Sequence, residues 1–269
     1  MERQAIVAGQ FYDADVARLN AVVDGYLVAD GDKRKEKTLL CMVPHAGYVF
    51  SGGVCGATLA KANLESTVLL LGPNHTGLGD RFALWAEGGW DIPGATVPVD
   101  AELASELLGA TPLIHADTAA HVQEHSLEVI LPFLHRMNPE TSIVPISVSS
   151  RSAEDLKQVG MSIGRTLKSL ERPVSIVVSS DMSHYISHDE AKAKDTLALE
   201  AAVNLEPGRL LETVASNNIS MCGVLPMTVG LYAALEMGAT RGELTAYATS
   251  GEVSGDFDQV VGYAGVIVD

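Results

Sequence analysis

The sequence predicts an α/β fold with a single mixed, largely parallel sheet and helices on both of its faces. Apolar runs of strand length alternate with helical segments from Thr38 to the end of the chain. Several of these runs are apolar at every position, as in strands that are buried on both faces of a parallel sheet. The length of 269 residues, without a break in composition, predicts one domain over 1–269.

The first half of the chain begins with an amphipathic pattern that predicts a helix over 15–27. A charged loop is expected over 30–37, and the apolar run at 38–44 predicts the first strand of the sheet. A helix that starts near Gly52-Gly53 and ends near residue 63 leads to a second apolar strand at 66–72.

Residues 77–98 are rich in Gly, Pro and Trp, so we expect an irregular segment with one short strand at 82–86. Asp100 and Ser152 are typical N-cap residues, and each predicts the start of a helix. A loop is expected over 109–122. The remaining expected helices are 100–108, 126–137, 152–170, 188–204, 207–216 and 222–237, and the remaining strands are 142–148, 174–180, 243–249 and 259–268.

The composition argues against several classes of function. The chain has 34 acidic and 18 basic residues and a formal net charge of -16, which disfavours binding to nucleic acid or to an anionic membrane surface. It has no apolar stretch long enough for a membrane span and no signal-peptide pattern, so we expect a cytoplasmic protein. The three widely spaced cysteines predict neither a disulfide framework nor a CxxC zinc site.

Three of the predicted strands end in short polar segments, which we call the first, second and third elbow (residues 44–48, 72–77 and 179–184). They carry His45, His75, and Asp181 with His184, respectively. Because ligands of open α/β sheets bind beyond the carboxyl ends of the strands, we expect these side chains in one cleft. The alternatives are histidines that merely cap strands or lie in solvent-facing turns, and a helix N-cap role for Asp181.

Two further residues are candidates for the same cleft. His125 precedes an apolar helix directed at this edge and could bind a substrate anion, whereas an acidic Glu124 is ordinary in the first turn of a helix. Cys222 lies near the start of a helix, where a thiolate is favoured, and could be a soft metal ligand or a nucleophile.

The other cysteines and histidines are not candidates for this cleft. Cys41 and Cys55 are expected in the core. The remaining histidines are expected on the surface, namely His115, His121, His135 and His188.

His45, His75 and Cys222 together would form a site with two nitrogens, one sulfur and open positions. Such ligands suit copper, iron or zinc better than magnesium or calcium. The distances along the chain are too long for spacing alone to establish that the three residues converge.

Five ordered motifs resemble those of the Memo-like family, and the opening Ala8-Gly9-Gln10-Phe11-Tyr12 is similar to the start of that family. The resemblance extends from about residue 3 to the end of the chain. The motifs are Pro44-His45-Ala46-Gly47-Tyr48, Gly72-Pro73-Asn74-His75, Glu124-His125-Ser126, Ser179-Ser180-Asp181-Met182-Ser183-His184 and Met221-Cys222-Gly223.

The resemblance implies an αβα sandwich related to the class III extradiol ring-cleaving dioxygenases. It implies that His45, His75 and Cys222 ligate a metal ion, copper or iron. Zinc stays an alternative because the same donor set suits it. Asp181, His184 and His125 would then line the same pocket as acid–base or polar residues. Sulfur in place of the dioxygenase carboxylate changes the softness and redox behaviour of the site. The resemblance also implies a functional link to radical-SAM and AMMECR-type proteins.

Several functions are compatible with these residues. The first is a metal-dependent redox protein whose substrate the sequence does not identify. The second is a ring-cleaving dioxygenase in which His184 acts as the base on a catechol. The third is a non-enzymatic protein that binds a small molecule or a peptide in the cleft. A zinc-dependent hydrolase is a fourth.

Overall fold

A computed structural model describes residues 2–28 and 33–269, so the predicted loop over 30–37 lies partly outside the described residues. The strands are β1 (Glu2–Arg3), β2 (Leu40–Val43), β3 (Thr67–Pro73), β4 (Phe82–Leu84), β5 (Gly89–Ile92), β6 (Ala95–Pro98), β7 (His115–Ala116), β8 (Ser142–Val148), β9 (Ser175–Ser179), β10 (Asp181–Ile186), β11 (Gly242–Thr249) and β12 (Val260–Val268). The helices are α1 (Val16–Tyr26), α2 (Tyr48–Lys61), α3 (Ala101–Ala110), α4 (Ala119–Val122), α5 (Leu131–Met137), α6 (Ala153–Ser169), α7 (His188–Val203), α8 (Pro207–Ser216), α9 (Val224–Met237) and α10 (Gly251–Ser254).

The predicted mixed α/β fold is confirmed. Within the described ranges, nine strands form one sheet in the order β10-β12-β2-β9-β3-β8-β4-β7, with β11 also paired to β12. Its centre, β2-β9-β3-β8, is parallel throughout. On the flanks, β12 is antiparallel to β2, both β10 and β11 are antiparallel to β12, and β4 is antiparallel to β8. The carboxyl ends of β2, β9 and β3 therefore lie side by side at one edge.

Alternate residues of the central strands enter two separate hydrophobic cores. On β2, Leu40 and Met42 pack in one core with α3, α6, α8 and α9, whereas Cys41 and Val43 pack in the other with α1, α2 and α5. This is the expected consequence of a period of two residues in strands that are covered on both faces. The prediction of helices on both faces, and of Cys41 in the core, is confirmed.

The segment over 77–98 contains more structure than its composition predicted. In addition to β4, it forms the antiparallel hairpin β5–β6, and β1 pairs in parallel with β5 to make a separate three-stranded sheet. The hairpin turn is Pro93-Gly94, and Gly94 has a φ of 83°. Proline followed by a glycine with positive φ is the pattern of a type II turn, so this signal was present in the sequence.

The helix starts show where local sequence prediction succeeds. The Asp100 side chain accepts a hydrogen bond from the Leu103 N–H, and the Ser152 side chain accepts one from the Asp155 N–H, so both predicted N-caps are confirmed. Helix α2 begins at Tyr48 rather than near Gly52, because Gly47 serves as its N-cap directly after the first elbow. Across the described ranges, every helix is too short or too polar to cross a bilayer.

Candidate metal centre

The three elbows meet as the sequence predicts. β9 lies between β2 and β3, with Ser179 opposite Val43 and Val178 opposite Leu71. His45 and His75 therefore follow the ends of two strands that flank the end of β9, where Asp181 lies. The third elbow does not start a helix: its residues from Asp181 onward form β10, which excludes the N-cap alternative for Asp181.

Three imidazoles form the centre of the cleft. One ring nitrogen from each of His45, His75 and His125 lies within 4.8 Å of the other two, which is close enough for the group to hold a metal ion. The His75 and His125 rings stack with centroids 5.0 Å apart, and the His45 ring meets the His75 ring edge-on at 5.4 Å. His125, expected only as a pocket residue, is thus a member of the candidate ligand group.

The hydrogen bonds of His45 define its tautomer. The Ser179 hydroxyl donates its single proton to the Ser126 carbonyl at 2.7 Å, so it can only accept from His45 Nδ1 at 2.6 Å. Nδ1 therefore carries the proton, and Nε2 has the free lone pair. Burial, and then the charges of His75 and His125, hold the pKa of His45 well below its usual range, which keeps the ring neutral.

His75 is oriented by a buried carboxylate. Glu124 accepts hydrogen bonds from His75 Nδ1 at 2.9 Å, from the His75 backbone N–H at 2.5 Å and from the Ser126 N–H at 2.9 Å. Burial alone would raise the pKa of Glu124, but these bonds outweigh it and lower the pKa to about 2. For His75, burial lowers the pKa, and the bond and charge of Glu124 more than compensate, so the pKa is raised. Its Nε2 is left for a ligand or a metal ion.

Cys222 reaches the same cleft from the start of α9. Its Sγ lies 3.5 Å from His45 Nε2 and accepts a hydrogen bond from the Asp181 N–H at 3.2 Å. The position next to a helix start is confirmed, with Gly223 as the N-cap. The expected thiolate is not supported, because burial and then the charge of Asp181 raise the pKa of the Cys222 thiol.

Asp181 and His184 lie beside the three imidazoles. The buried Asp181 accepts a hydrogen bond from the His45 backbone N–H at 2.8 Å, and its pKa is raised by burial. His184 donates from Nδ1 to the Ser220 carbonyl at 3.0 Å, and its backbone N–H donates to the Ser220 hydroxyl. Its Nε2 is therefore the nitrogen with a free lone pair, as in His45 and His75.

Sequence reasoning missed the residues that hold these groups in place. Glu124 had an ordinary explanation as a first-turn acid, and nothing marked Ser179 as the partner of His45. Arg3 was also missed: its buried guanidinium donates to the Glu124 and His121 carbonyls and pairs with the Glu128 carboxylate at 2.8 Å. The Glu124-His125-Ser126 motif was the one available signal, because it places a carboxylate beside a candidate ligand.

One histidine expected on the surface is in the core. His121 is buried with its ring edge-on to Trp85 and Trp90, and its Nε2 donates to the Ala83 carbonyl at 2.8 Å. Burial lowers the pKa of His121 to about 4. The expectation was wrong because the missed β5–β6 hairpin covers this part of the chain.

Comparison with known proteins agrees with the motifs. The family model described as Memo-like protein matches residues 3–267. This chain belongs to the Memo-like family. MEMO1 family proteins of Aquifex aeolicus and Methanopyrus kandleri are 41% and 39% identical to it, over 98% and 99% of both chains, respectively. An uncharacterized protein from Escherichia coli K12 has a similar crystal structure, with a TM-score of 0.54 and 14% identity, covering 86% of this chain and 100% of its own. That likeness concerns the fold of the Memo-like protein alone.

Proposed function

We propose that this Memo-like protein binds a redox-active copper or iron ion in the strand-end cleft. His45, His75 and Cys222 would be its ligands, and His125 would be a further imidazole at the same ion. The observation that carries the proposal is the group of three imidazole nitrogens within 4.8 Å of one another. His45 and His75 each have Nδ1 tied to a fixed acceptor, which leaves Nε2 for the ion.

The position of Cys222 fits the same ion. Tetrahedral ligands at about 2.3 Å for sulfur and about 2.1 Å for nitrogen are roughly 3.6 Å from each other. The observed separation of Cys222 Sγ from His45 Nε2 is 3.5 Å. A bound ion would displace the proton of the Cys222 thiol, and a thiolate with imidazoles is a soft donor set that suits copper, iron or zinc, whereas magnesium and calcium prefer oxygen ligands.

The surrounding residues would serve binding and proton transfer. The His75 and His125 side chains are 36% and 26% exposed, so a small molecule or a peptide can reach the imidazoles from solvent. When bound, the ion would exchange electrons with a small reductant or oxygen. His184 can accept a proton at Nε2, and Asp181 fixes the backbone of the first elbow.

Metal binding tests the proposal directly. Protein purified anaerobically and without a metal-binding tag would be analysed for its elements and then titrated with Cu(I), Fe(II) and Zn(II). We expect one ion per chain, with affinity reduced at least ten-fold in His45→Ala and Cys222→Ala. His115→Ala is the matched control, because His115 is exposed and lies on β7 outside the cluster. Unchanged affinity in Cys222→Ala would remove Cys222 from the site.

A dioxygenase is the second candidate, and the free Nε2 of His184 is the observation that favours it. This nitrogen could take the proton of a catechol hydroxyl. The test is oxygen uptake by anaerobically iron-loaded protein with a panel of catechols, comparing the unmodified chain with His184→Gln. The absence of turnover on every catechol would exclude this candidate and leave the redox proposal intact.

A further inference from the structure

Strand β10 is irregular on both sides of His184. Asp181 lies opposite Tyr263 and His184 opposite Val261, so β10 advances by three residues between these pairs while β12 advances by two. Ile186 then lies opposite Val260. Between His184 and Ile186, β10 therefore advances by two residues while β12 advances by one, and Tyr185 is the extra residue. Bulges of this kind redirect side chains and are frequent beside active sites.

The backbone of Tyr185 is in the left-handed region, with a φ of 58°. Residues other than glycine, asparagine and aspartate adopt this conformation at an energetic cost, and such strain persists where something else requires it. In the described part of the chain, two other non-glycine residues have positive φ, namely Leu205 and Asn218. Leu205 is half-buried against the core, and asparagine tolerates this conformation.

Packing does not compensate the strain at Tyr185. The residue is 73% exposed, which is the largest exposure among the described large hydrophobic and aromatic residues. A ring so placed contributes little burial to the folded state. The bulge accounts for the left-handed backbone, but burial of the ring does not account for a tyrosine in place of glycine at this position. A role of the ring outside the fold would account for it.

The ring is positioned beside the cleft. Its centroid lies 5.9 Å from that of His184, with an interplanar angle of 60°. The pKa of the buried Tyr263 phenol is raised by burial and then by the charges of Asp181 and Tyr185, so these groups share one neighbourhood. On another side of the cleft, the Phe11 ring lies 5.0 Å from that of His125.

We propose that Tyr185 contacts the molecule bound in the cleft and selects ligands that carry a flat, apolar group beside their metal-binding atoms. The bulge and the left-handed backbone hold the ring at the rim of the cleft, next to His184. This inference rests on the proposed metal function, since the metal ion would hold the polar end of such a ligand.

Two hydroxamates test the inference, because benzohydroxamate and acetohydroxamate share a metal-binding head and differ by a phenyl ring in place of a methyl group. Their affinities for zinc-loaded protein would be measured by calorimetry in the unmodified chain, Tyr185→Gly and Tyr185→Phe. The preference for benzohydroxamate should fall about 3- to 10-fold in Tyr185→Gly and persist in Tyr185→Phe. Asn218→Gly is the matched control for a change at a left-handed residue without loss of a ring.

A second readout separates this role from a structural one. Glycine fits the left-handed conformation, so Tyr185→Gly should keep or raise the midpoint of urea unfolding. A lower midpoint, or an unchanged preference for benzohydroxamate, would overturn the assignment of Tyr185. If the unmodified chain binds none of Cu(I), Fe(II) and Zn(II), the proposed metal function is overturned together with it. If zinc alone fails to bind, the hydroxamate comparison is made on Fe(II)-loaded protein. If zinc binds equally to all variants and the preference is unchanged, only the inference about Tyr185 is lost.

Discussion

Removal of the Glu124 charge should destabilise the folded protein in a pH-dependent manner. Glu124 is buried and accepts three hydrogen bonds, two from His75 and one from Ser126. Its pKa falls from the ordinary value of 4.5 to about 2. Each pKa unit corresponds to about 1.4 kcal/mol, so the ionised carboxylate contributes on the order of 3 kcal/mol to folding.

The sign of the effect follows from the lowered pKa. A carboxyl whose pKa is lower in the folded state stabilises the fold above its unfolded pKa, and this contribution is lost as the pH falls from about 4.5 through 2. The pKa of His75 is raised in the folded state, so its contribution to stability is fully present below the unfolded pKa of 6.5. The stabilisation is therefore largest near pH 5.5, where both members of the pair are charged.

Urea unfolding of chelator-treated protein measures this contribution. Glu124→Gln should be about 3 kcal/mol less stable than the unmodified chain near pH 5.5, and about half of that difference should be lost at pH 3. Glu140→Gln, at an exposed position, is the control and should change stability by less than about 0.5 kcal/mol. The reasoning would be refuted if Glu124→Gln and the unmodified chain had equal free energies of unfolding. It would also be refuted if the difference between them were the same at pH 5.5 and pH 3.

Three other substitutions test how the cleft is built. Gly223→Ala should weaken metal binding at least ten-fold, because the added Cβ would overlap Ser180 in the third elbow. Gly53→Ala is the control and should have no effect in the same metal titration, because a Cβ there enters open space. Ser179→Ala removes the acceptor for His45 Nδ1 and should reduce metal affinity about 10- to 100-fold, with the folded spectrum retained in circular dichroism. Arg3→Met leaves the buried Glu128 carboxylate without its cationic partner and should lower the free energy of unfolding in urea by about 3–5 kcal/mol. A decrease below about 1 kcal/mol would contradict the importance of this ion pair.

The sheet could be predicted because its strands are apolar at every position. Such runs locate the strand ends, and in a parallel arrangement the strand ends meet at one edge. His45, His75 and Asp181 come together for this reason. The helices were predicted from periodicity and from side chains such as Asp100 that accept bonds from the first turn.

The remaining parts depend on contacts between distant segments. His125 joins the other imidazoles because its loop is tied to His75 through Glu124 and to β1 through the buried Arg3. The Glu124-His125-Ser126 motif indicated a carboxylate beside His125, but the partners of Glu124 in distant segments have no local signal in the sequence. The pKa of Cys222 depends on burial, which outweighs the helix N-terminus that the sequence shows. Tyr185 becomes conspicuous only when the register of β10 against β12 reveals it as an extra residue.

X-ray absorption spectroscopy of anaerobically loaded protein tests the metal centre most directly. With one equivalent of Cu(I) or Fe(II), we predict imidazole scattering from His45 and His75 together with one sulfur neighbour at about 2.3 Å. The sulfur contribution should disappear in Cys222→Ser, while the imidazole scattering remains. A first shell of nitrogen and oxygen alone in the unmodified chain would contradict the proposed ligand set.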